Sequence, residues 1–591
     1  MVKEMKQVAE PERTPLLLIF ISLLSSGFVA HAVPYDYTAS IECLETPQKA
    51  QYNGGSIVNP ELNDGLAGWS TFGNAKLEHR ESPNGNGFIL AQSRAQPFDS
   101  VSQKVELKTN LLYTFSAWVQ VSQGNPSVAA VFKTSSGYVE AGTVIAKPGC
   151  WSMLKGGLTL ETSGEASLFF QTQNSTADVM VDSISLQPFT PEEWKSHQDQ
   201  TMDKVRKAKV RIQVVDKLGN SLPKATVSVQ QNALTFPLGC AINKNILTNA
   251  AYEKWFASRA FRVTTFEDEM KWYSTEPTRG HEDYSAADAL LEFAKQHKLA
   301  VRGHNVLWDD PTYQQGWLNS LTPQQLSVAV DNRIHSVMSK YKGQVIAWDV
   351  MNENLHFSYF ETKLGPNASG HAYNLASTTD GTIPLFMNEY NTIEEVTDPM
   401  STPAKYLHKL REIQAYSGNA DIKMAIGLES HFVTPNIPYM RASIDILAAA
   451  GFPIWLTEVD VKQGPKQVRQ ASYLEEVLRE GFSHPEVEGI VVWGAWNPKG
   501  CYRMCLTDNN FNNLATGDVV DRLLHEWGGS KEPLVLGETD ENGFLEASLF
   551  HGDYNVTIVH PGVNSLALPQ RMIVAPVTPT QAQPSVVKVT I

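Results

Sequence analysis

Two short apolar runs lead into a glutamate: VIAWDVMNE ends on Glu353, and PIWLTEVDV carries Glu458. A buried carboxylate is costly, so a lone one at the end of a strand has ordinarily just reached water. Two that converge are a different matter. With one protonated and one ionised, a carboxyl pair can protonate a leaving oxygen while the second group acts on the opposite face of the reacting carbon, which is how a glycosidic bond is cleaved. Other apolar runs end in the same style. FRVTTFEDEMKW supplies Glu267, Asp268, Glu269 and Lys271, and LAVRGHNVLW supplies His304, Asn305 and Trp308. Asn352 precedes Glu353; Asn388 and Glu389 close IPLFMNEYN; Glu429 and His431 close MAIGLESHF. Asp460 follows Glu458, and GIVVWGAWN ends in Trp493 and Trp496. Such a set suits a sugar, with indole faces against pyranose rings and amides and carboxylates on hydroxyls. No Ser-His nucleophile elbow and no nucleotide loop accompanies it.

These runs must be brought together by the elements that carry them. Eight of them, the first beginning at Phe236 and the last at Gly489, start 25 to 46 residues apart, the size of a strand-helix unit. Helical patterns fill several gaps. SAADALLEFAKQH opens on Ser285 as a candidate cap, and Thr322-Pro323 and Thr402-Pro403 each read as a cap followed by a first-turn proline. The pattern predicts an α/β fold with a (β/α)8 TIM barrel over 236–528. An open doubly wound sheet is the alternative, but it would carry a Gly-rich phosphate turn after its first strand, and none is present. In a parallel barrel the strand C-termini share one rim, and strands four and seven face each other across it. Glu353 and Glu458 are therefore the natural pair.

Around the barrel the chain changes style. Residues 1–32 read as a signal peptide, apolar from Leu16 to Leu24 and ending in Ala30-His31-Ala32, with cleavage expected after Ala32. Residues 33–55 read as a linker, 56–190 as an N-terminal β-sandwich with alternating strands, and 191–209 as a helical linker. Residues 210–235 and 529–591 resemble the two halves of a small transthyretin-like or carboxypeptidase-regulatory-like β-sandwich, with the barrel inserted between them. At 591 residues, 42% apolar and 19% charged, the chain is an ordinary multidomain globular protein. Its net charge of −15 argues against nucleic acid or an anionic membrane as the main partner. No later segment is long and apolar enough to span a bilayer, so the expectation is a secreted protein of the extracellular space or cell wall, without membrane contact once the signal is cleaved. Of five cysteines, Cys501 with Cys505 and Cys43 with Cys150 are candidate pairs, leaving Cys240 free and buried. No Cys/His spacing fits zinc, and neither metal nor cofactor is expected. Sequons at Asn174, Asn367 and Asn555 permit N-glycans.

FEDEMKW, RGHNVLW, WDVMNE, GLESH, LTEVD and VVWG stand in the order and spacing of glycoside hydrolase family 10, the endo-β-1,4-xylanases, which the chain resembles from about Phe236 to Trp527. The segment carrying GLAGWSTFG, LLYTFSAWV and DVMVDSISL resembles, more diffusely, a xylan-binding module of family 22; the combination is similar to modular plant cell-wall xylanases. The resemblance implies retaining hydrolysis of xylan, with Glu458 as nucleophile and Glu353 as acid/base. It implies His431 and Asp460 as supports of the nucleophile, and Asn352 as a contact of the sugar 2-hydroxyl. Glu267, Lys271 and His304 would bind sugars on the non-reducing side, with Trp308, Trp493 and Trp496 as walls. Asp268 stands where the family often has Asn, and Glu429, a further substrate-binding candidate, where it often has Gln. WNPKGCYRMCLTD replaces a more aromatic segment. In the sandwich, Trp69 and Tyr138 are the candidate sugar-stacking aromatics. A xylan transglycosylase would use the same intermediate, and an inactive wall-binding protein is the third reading; the intact glutamate pair speaks against the last. Oligomeric state is not legible.

Overall fold

A computed structural model describes residues 33–464, 466–529, 533–562, 569–576 and 585–591. The stretch read as a signal peptide lies outside the described residues. No helix among those described is long and apolar enough to cross a membrane.

Eight parallel strands close into the expected barrel. They are Leu238–Cys240, Val263–Thr265, Ala300–Gly303 continued by Leu307–Trp308, and Ala347–Asn352, followed by Leu385–Glu389, Met424–Leu428 with His431–Phe432, Ile454–Val461 and Val487–Val492. The first strand pairs with the second and the eighth, which leaves no open edge. Ala241, Val263, Ala347, Phe386, Ala425, Trp455, Val491 and Trp493 form a cluster inside. Small and large residues alternate there because the interior is filled, not hollow. Gly303 shows the fit: a Cβ at that position would lie 2.2 Å from the indole of Trp348. The Thr-Pro signals work as read. Thr322 and Gln325 make a reciprocal capping box on Pro323–Tyr341, and Thr402 caps Pro403–Ala415. Ser285 does not cap. It is the first helical residue, and Asp283 accepts its N–H instead.

Before the barrel, two five-stranded antiparallel sheets stack around one apolar core from Ile57 to Leu186. Asp36–Gly55, expected as linker, is bound to this sandwich instead. Cys43 is disulfide-bonded to Cys150, Gly55 bridges to Leu186, and the carbonyls of Asp36 and Thr38 accept from Lys155 Nζ at 2.8 and 2.9 Å. The second linker holds a helix, Pro191–Val205, with a Thr190/Glu193 capping box. Its Trp194 and Gln198 side chains each donate to Glu480 Oε2 of the barrel at 2.9 Å, so it is a packed element. Strands from either side of the barrel share a small sandwich. Lys207–Val215 pairs with Phe544–Phe550 and Ser585–Thr590, and Thr226–Leu234 pairs with Gly552–Val559 and Leu534–Glu538. Val227 sits opposite Ile558 and Val229 opposite Val556, around one core.

The N-terminal sandwich is fastened to the barrel by a buried ion pair. Lys155 Nζ lies 2.7 Å from Asp445 Oδ2, both side chains 1% exposed, and Asp445 Oδ1 also meets His484 Nε2 at 3.0 Å. Breaking one partner of such a pair strands the other charge in a dry contact. Lys155→Ala is expected to lower stability by about 3–5 kcal/mol, read as a drop in Tm by calorimetry. A variant within about 0.5 kcal/mol of wild type would show the pair to be dispensable.

Candidate active site

The strand C-termini open onto a cleft of about 810 Å³. Glu267, Lys271, His304, Trp308, Asn352, Glu353, Glu429, His431, Glu458, Asp460 and Trp493 all line it. Trp496 does not. It packs against Tyr252 and Phe511 with its Nε1 donating to Asn509 Oδ1 at 3.0 Å, because the chain leaving the eighth strand turns that ring behind the rim.

Glu353 follows directly on the fourth strand and takes a left-handed conformation, φ 59°, rare for a residue with a side chain. Its N–H donates to Asn388 O at 2.8 Å and its carbonyl accepts from Phe357 N at 3.0 Å, so neighbouring backbone holds the turn. Beneath it, the buried Glu389 accepts from Leu355 N at 2.7 Å and meets His356 Nδ1 at 2.7 Å. The other ring nitrogen of His356 lies 2.9 Å from Asp398, and Tyr390 stacks on the ring at 3.9 Å. Burial disfavours charge on His356, but Glu389 ahead of Asp398 outweighs it and pushes the imidazole up to about 9. Glu389 thus ties the Glu353 turn to the fifth strand.

Glu458 is buried on the seventh strand. Asn388 Nδ2 donates to its Oε1 at 2.9 Å, to Glu429 Oε1 at 3.1 Å and to Asn352 Oδ1 at 2.9 Å, while Asn388 Oδ1 accepts from Thr457. His431 Nε2 faces Glu429 Oε2 at 3.3 Å and Glu458 Oε2 at 3.6 Å, and its Nδ1 lies 3.1 Å from Asp460 Oδ1. His304 Nε2 approaches Glu458 Oε1 at 3.7 Å, its ring oriented by Asp349 at 2.9 Å. Burial works to raise the Glu458 carboxyl, but the attraction of His304, His431 and Lys271 prevails and holds it down at about 2. Glu353 goes the other way: burial, then the charges of Glu389 and Glu458, push it up to about 8. One carboxyl is ionised and the other protonated at neutral pH, the division of labour an acid and a nucleophile require.

Glu429 is pushed well above the usual carboxylate range by burial and by the charges of Glu458 and Glu353. Burial disfavours charge on His431, but Asp460 with Glu429 and Glu458 carries it upward. Ligand atoms of Glu429, His431 and Glu458 lie within 4.8 Å of one another, close enough for a cation. The imidazolium favoured there already supplies positive charge.

Farther along, Glu267 is raised to about 8 by burial while accepting from Asn243 at 3.1 Å. Asp268 is held low: burial opposes it, but Lys271 and the Tyr273 hydroxyl keep it charged. Lys271 Nζ sits 4.4 Å from the Trp308 ring centre. Tyr313 stacks on the same indole at 4.0 Å, building an aromatic wall. Tyr313, Tyr390, Tyr502 and Arg503 also line the cleft and were not among the sequence candidates; Tyr313 ends a short 3-10 helix and the others lie on loops, where no strand pattern points at them.

In the N-terminal sandwich, Trp69 does not offer a stacking face. It is 7% exposed in the core, with Nε1 donating to Asn59 O, since the strand it precedes turns it inward. Tyr138 is 66% exposed beside Phe169. Of the three sequon asparagines, Asn367 is exposed and Asn174 and Asn555 are half-buried. Cys501–Cys505 is a disulfide, and Cys240 is free and buried.

A (β/α)8 barrel whose rim sets two oppositely titrating carboxyls among amides and indoles has the parts that a glycoside hydrolase needs. The Glycosyl hydrolase family 10 model matches residues 228–513, and a carbohydrate binding domain model matches residues 54–177. Endo-1,4-beta-xylanase 5 of Arabidopsis thaliana is 46% identical over 79% of this chain and 82% of its own length. Endo-1,4-beta-xylanase 5-like of the same plant is 42% identical over 92% of this chain and 93% of its own. Xylanase 10B of Thermotoga petrophila, solved with xylobiose, is 24% identical with a TM-score of 0.43, covering 49% of this chain and 94% of that one. The chain belongs to glycosyl hydrolase family 10.

Proposed function

We propose that this chain is an endo-1,4-β-xylanase that cleaves internal bonds of cell-wall xylan with retention of configuration. The observation that carries this reading is the pairing of Glu353 and Glu458 across one cleft with their proton affinities driven apart. Glu353 protonates the glycosidic oxygen as Glu458 attacks the anomeric carbon and forms a covalent glycosyl-enzyme. Glu353, now a carboxylate, then takes a proton from water, which releases the sugar. His431 and Asp460 orient the nucleophile. Asn352 contacts the 2-hydroxyl, and Glu267, Lys271, His304, Trp308 and Trp493 hold the non-reducing side. Two disulfides, the sequons and the apolar N-terminal stretch support secretion to the cell wall, with a cleaved signal and N-glycans. We assign the N-terminal sandwich to family 22, with Tyr138 as its candidate stacking aromatic. The test is digestion of purified xylan and of xylohexaose, with product sizing and NMR of the first-formed anomer. Short internal-cleavage products that appear first as the β-anomer support the reading; no cleavage by folded enzyme, or an initial α-anomer, defeats it.

Glu429 is the departure that bears on pH. Burial and the charges of Glu458 and Glu353 disfavour a charge on it, and an isosteric amide would fill the same place beside Glu458. Glu429→Gln is therefore expected to keep kcat/KM at the optimum within about threefold of wild type. A loss of more than about tenfold would show that its negative charge is needed. The alkaline limb belongs to Glu353: activity is present while that group holds its proton and is lost as pH rises through about 8.

A further inference from the structure

The loop after the eighth strand, absorbed by none of the roles above, reaches back to the machinery around the nucleophile. It is closed on itself by Cys501–Cys505, with Cys501 N donating to Cys505 Sγ at 3.2 Å. Its base is anchored: Leu506 N donates to Ala495 O at 3.0 Å, and Thr516 Oγ1 to Cys505 O at 2.6 Å. Between the cysteines stands Arg503. Its guanidinium grips two groups at once. Nε donates to Asp460 Oδ1 at 2.6 Å, and Nη2 to Phe432 O at 2.6 Å. Asp460 side chain is 1% exposed and that of Arg503 16%, so the contact is shielded from water. The Arg503 backbone is fixed as well, its carbonyl accepting from Gln463 N at 3.2 Å and Gln470 Nε2 at 3.4 Å.

The two groups that Arg503 grips flank the nucleophile's histidine. His431 and Phe432 form a two-residue strand that pairs with Asp460 and Val461 of the seventh strand. One arm of the guanidinium holds that strand by the Phe432 carbonyl; the other holds the carboxylate that faces His431 Nδ1. The far nitrogen of the same ring faces Glu458. A chain of direct contacts therefore runs from the disulfide loop through Arg503 and Asp460 to His431 and Glu458. The bidentate geometry is specific to a planar guanidinium; an ammonium is a point charge and cannot make both contacts in the same directions.

We propose that the disulfide-closed loop is a positioning element for the nucleophile: Arg503 locks Asp460 and the His431–Phe432 strand in place, and the Cys501–Cys505 bond holds Arg503 where it can do so. Arg503 is a positioning residue, acting through Asp460 and His431. The inference rests on the xylanase reading above, since Glu458 must be the attacking group for its placement to matter.

The test compares wild type, Arg503→Lys, Arg503→Gln and Cys501→Ser/Cys505→Ser on xylohexaose, with kcat and KM measured separately across pH and Tm recorded for each. For Arg503→Lys, kcat is expected to fall about tenfold or more with KM within about twofold, because charge is kept and geometry lost. Arg503→Gln also removes the cation from beside Asp460, so its loss in kcat is expected to be at least as large as that of Arg503→Lys. The double serine variant is expected to lose at least about threefold in kcat. Reductant is expected to lower kcat in wild type and to cause no further loss in that variant, which separates this bond from Cys43–Cys150. An Arg503→Lys enzyme with wild-type kcat, or a loss seen only in KM and Tm, overturns the proposal; a double serine variant with wild-type kcat overturns the role of the disulfide. Should Arg503→Lys fail to fold, Arg503→Gln and the double serine variant carry the same test. A wild-type enzyme inactive on xylan defeats the xylanase reading, whereas an active wild type whose variants keep kcat defeats this inference alone.

Discussion

Glu458→Ala is expected to reduce kcat on xylan by a factor on the order of 10⁴–10⁶ while leaving binding of xylohexaose within a fewfold of wild type. The size follows from what the residue does. With the carboxylate gone, nothing can form the covalent intermediate, and the two easier steps revert to one difficult one. The rest of the cleft, lined by Lys271, His304, Asn352, Trp308 and Trp493, remains to hold substrate. The product's stereochemistry then decides the assignment. In Glu458→Ala, azide entering the vacated space attacks from the face Glu458 occupied and gives an α-xylosyl azide from a β-linked substrate bearing a good leaving group, with Glu353 still able to protonate. An enzyme with Glu458→Ala that still turns over xylan, or yields β-xylosyl azide, would remove Glu458 from the nucleophile's role.

The barrel and the two glutamates that its rim brings into one cleft were legible for one physical reason. Buried strands are short apolar runs, and a parallel barrel converts the chemistry at the end of each run into a shared rim. WDVMNE and LTEVD carried that information locally, so Glu353 and Glu458 needed no knowledge of distant packing. Trp496 misled because a ring four residues beyond a strand belongs to the loop's path, and the turn at Gly494, φ 82°, swings it behind the rim. Trp69 misled for a related reason: in a sandwich, an indole at a strand's start can turn inward as readily as outward, and sequence does not say which. Asp36–Gly55 read as linker because it has no periodicity, yet a disulfide and the Lys155 ammonium fix it to the sandwich. Arg503 stayed hidden since its partners, Asp460 and Phe432, are 43 and 71 residues away in sequence.

The second large effect concerns Glu353, and it depends on the leaving group. Glu353→Ala is expected to lower kcat/KM on xylan by a factor on the order of 10²–10⁴, because a sugar alkoxide leaves poorly without a proton. A 2,4-dinitrophenyl xylobioside needs no such help. Its first step survives in the variant, but water now attacks the glycosyl-enzyme without a base, so the intermediate accumulates, kcat falls and KM falls with it. Azide requires no base and restores turnover, and it enters from the face opposite Glu458, giving a β-xylosyl azide. That is the opposite anomer to the one expected from Glu458→Ala. The pH profile supplies an independent sign. Burial and the charges of Glu389 and Glu458 hold the Glu353 proton until about pH 8, so wild-type kcat/KM on xylan is present below that value and lost as pH rises through it. In Glu353→Ala, assayed on the dinitrophenyl substrate, that limb has no group to titrate and disappears. An alkaline limb that persists near pH 8 in the variant would place the proton on another residue of the cleft, with Glu267, also raised to about 8, the first to examine.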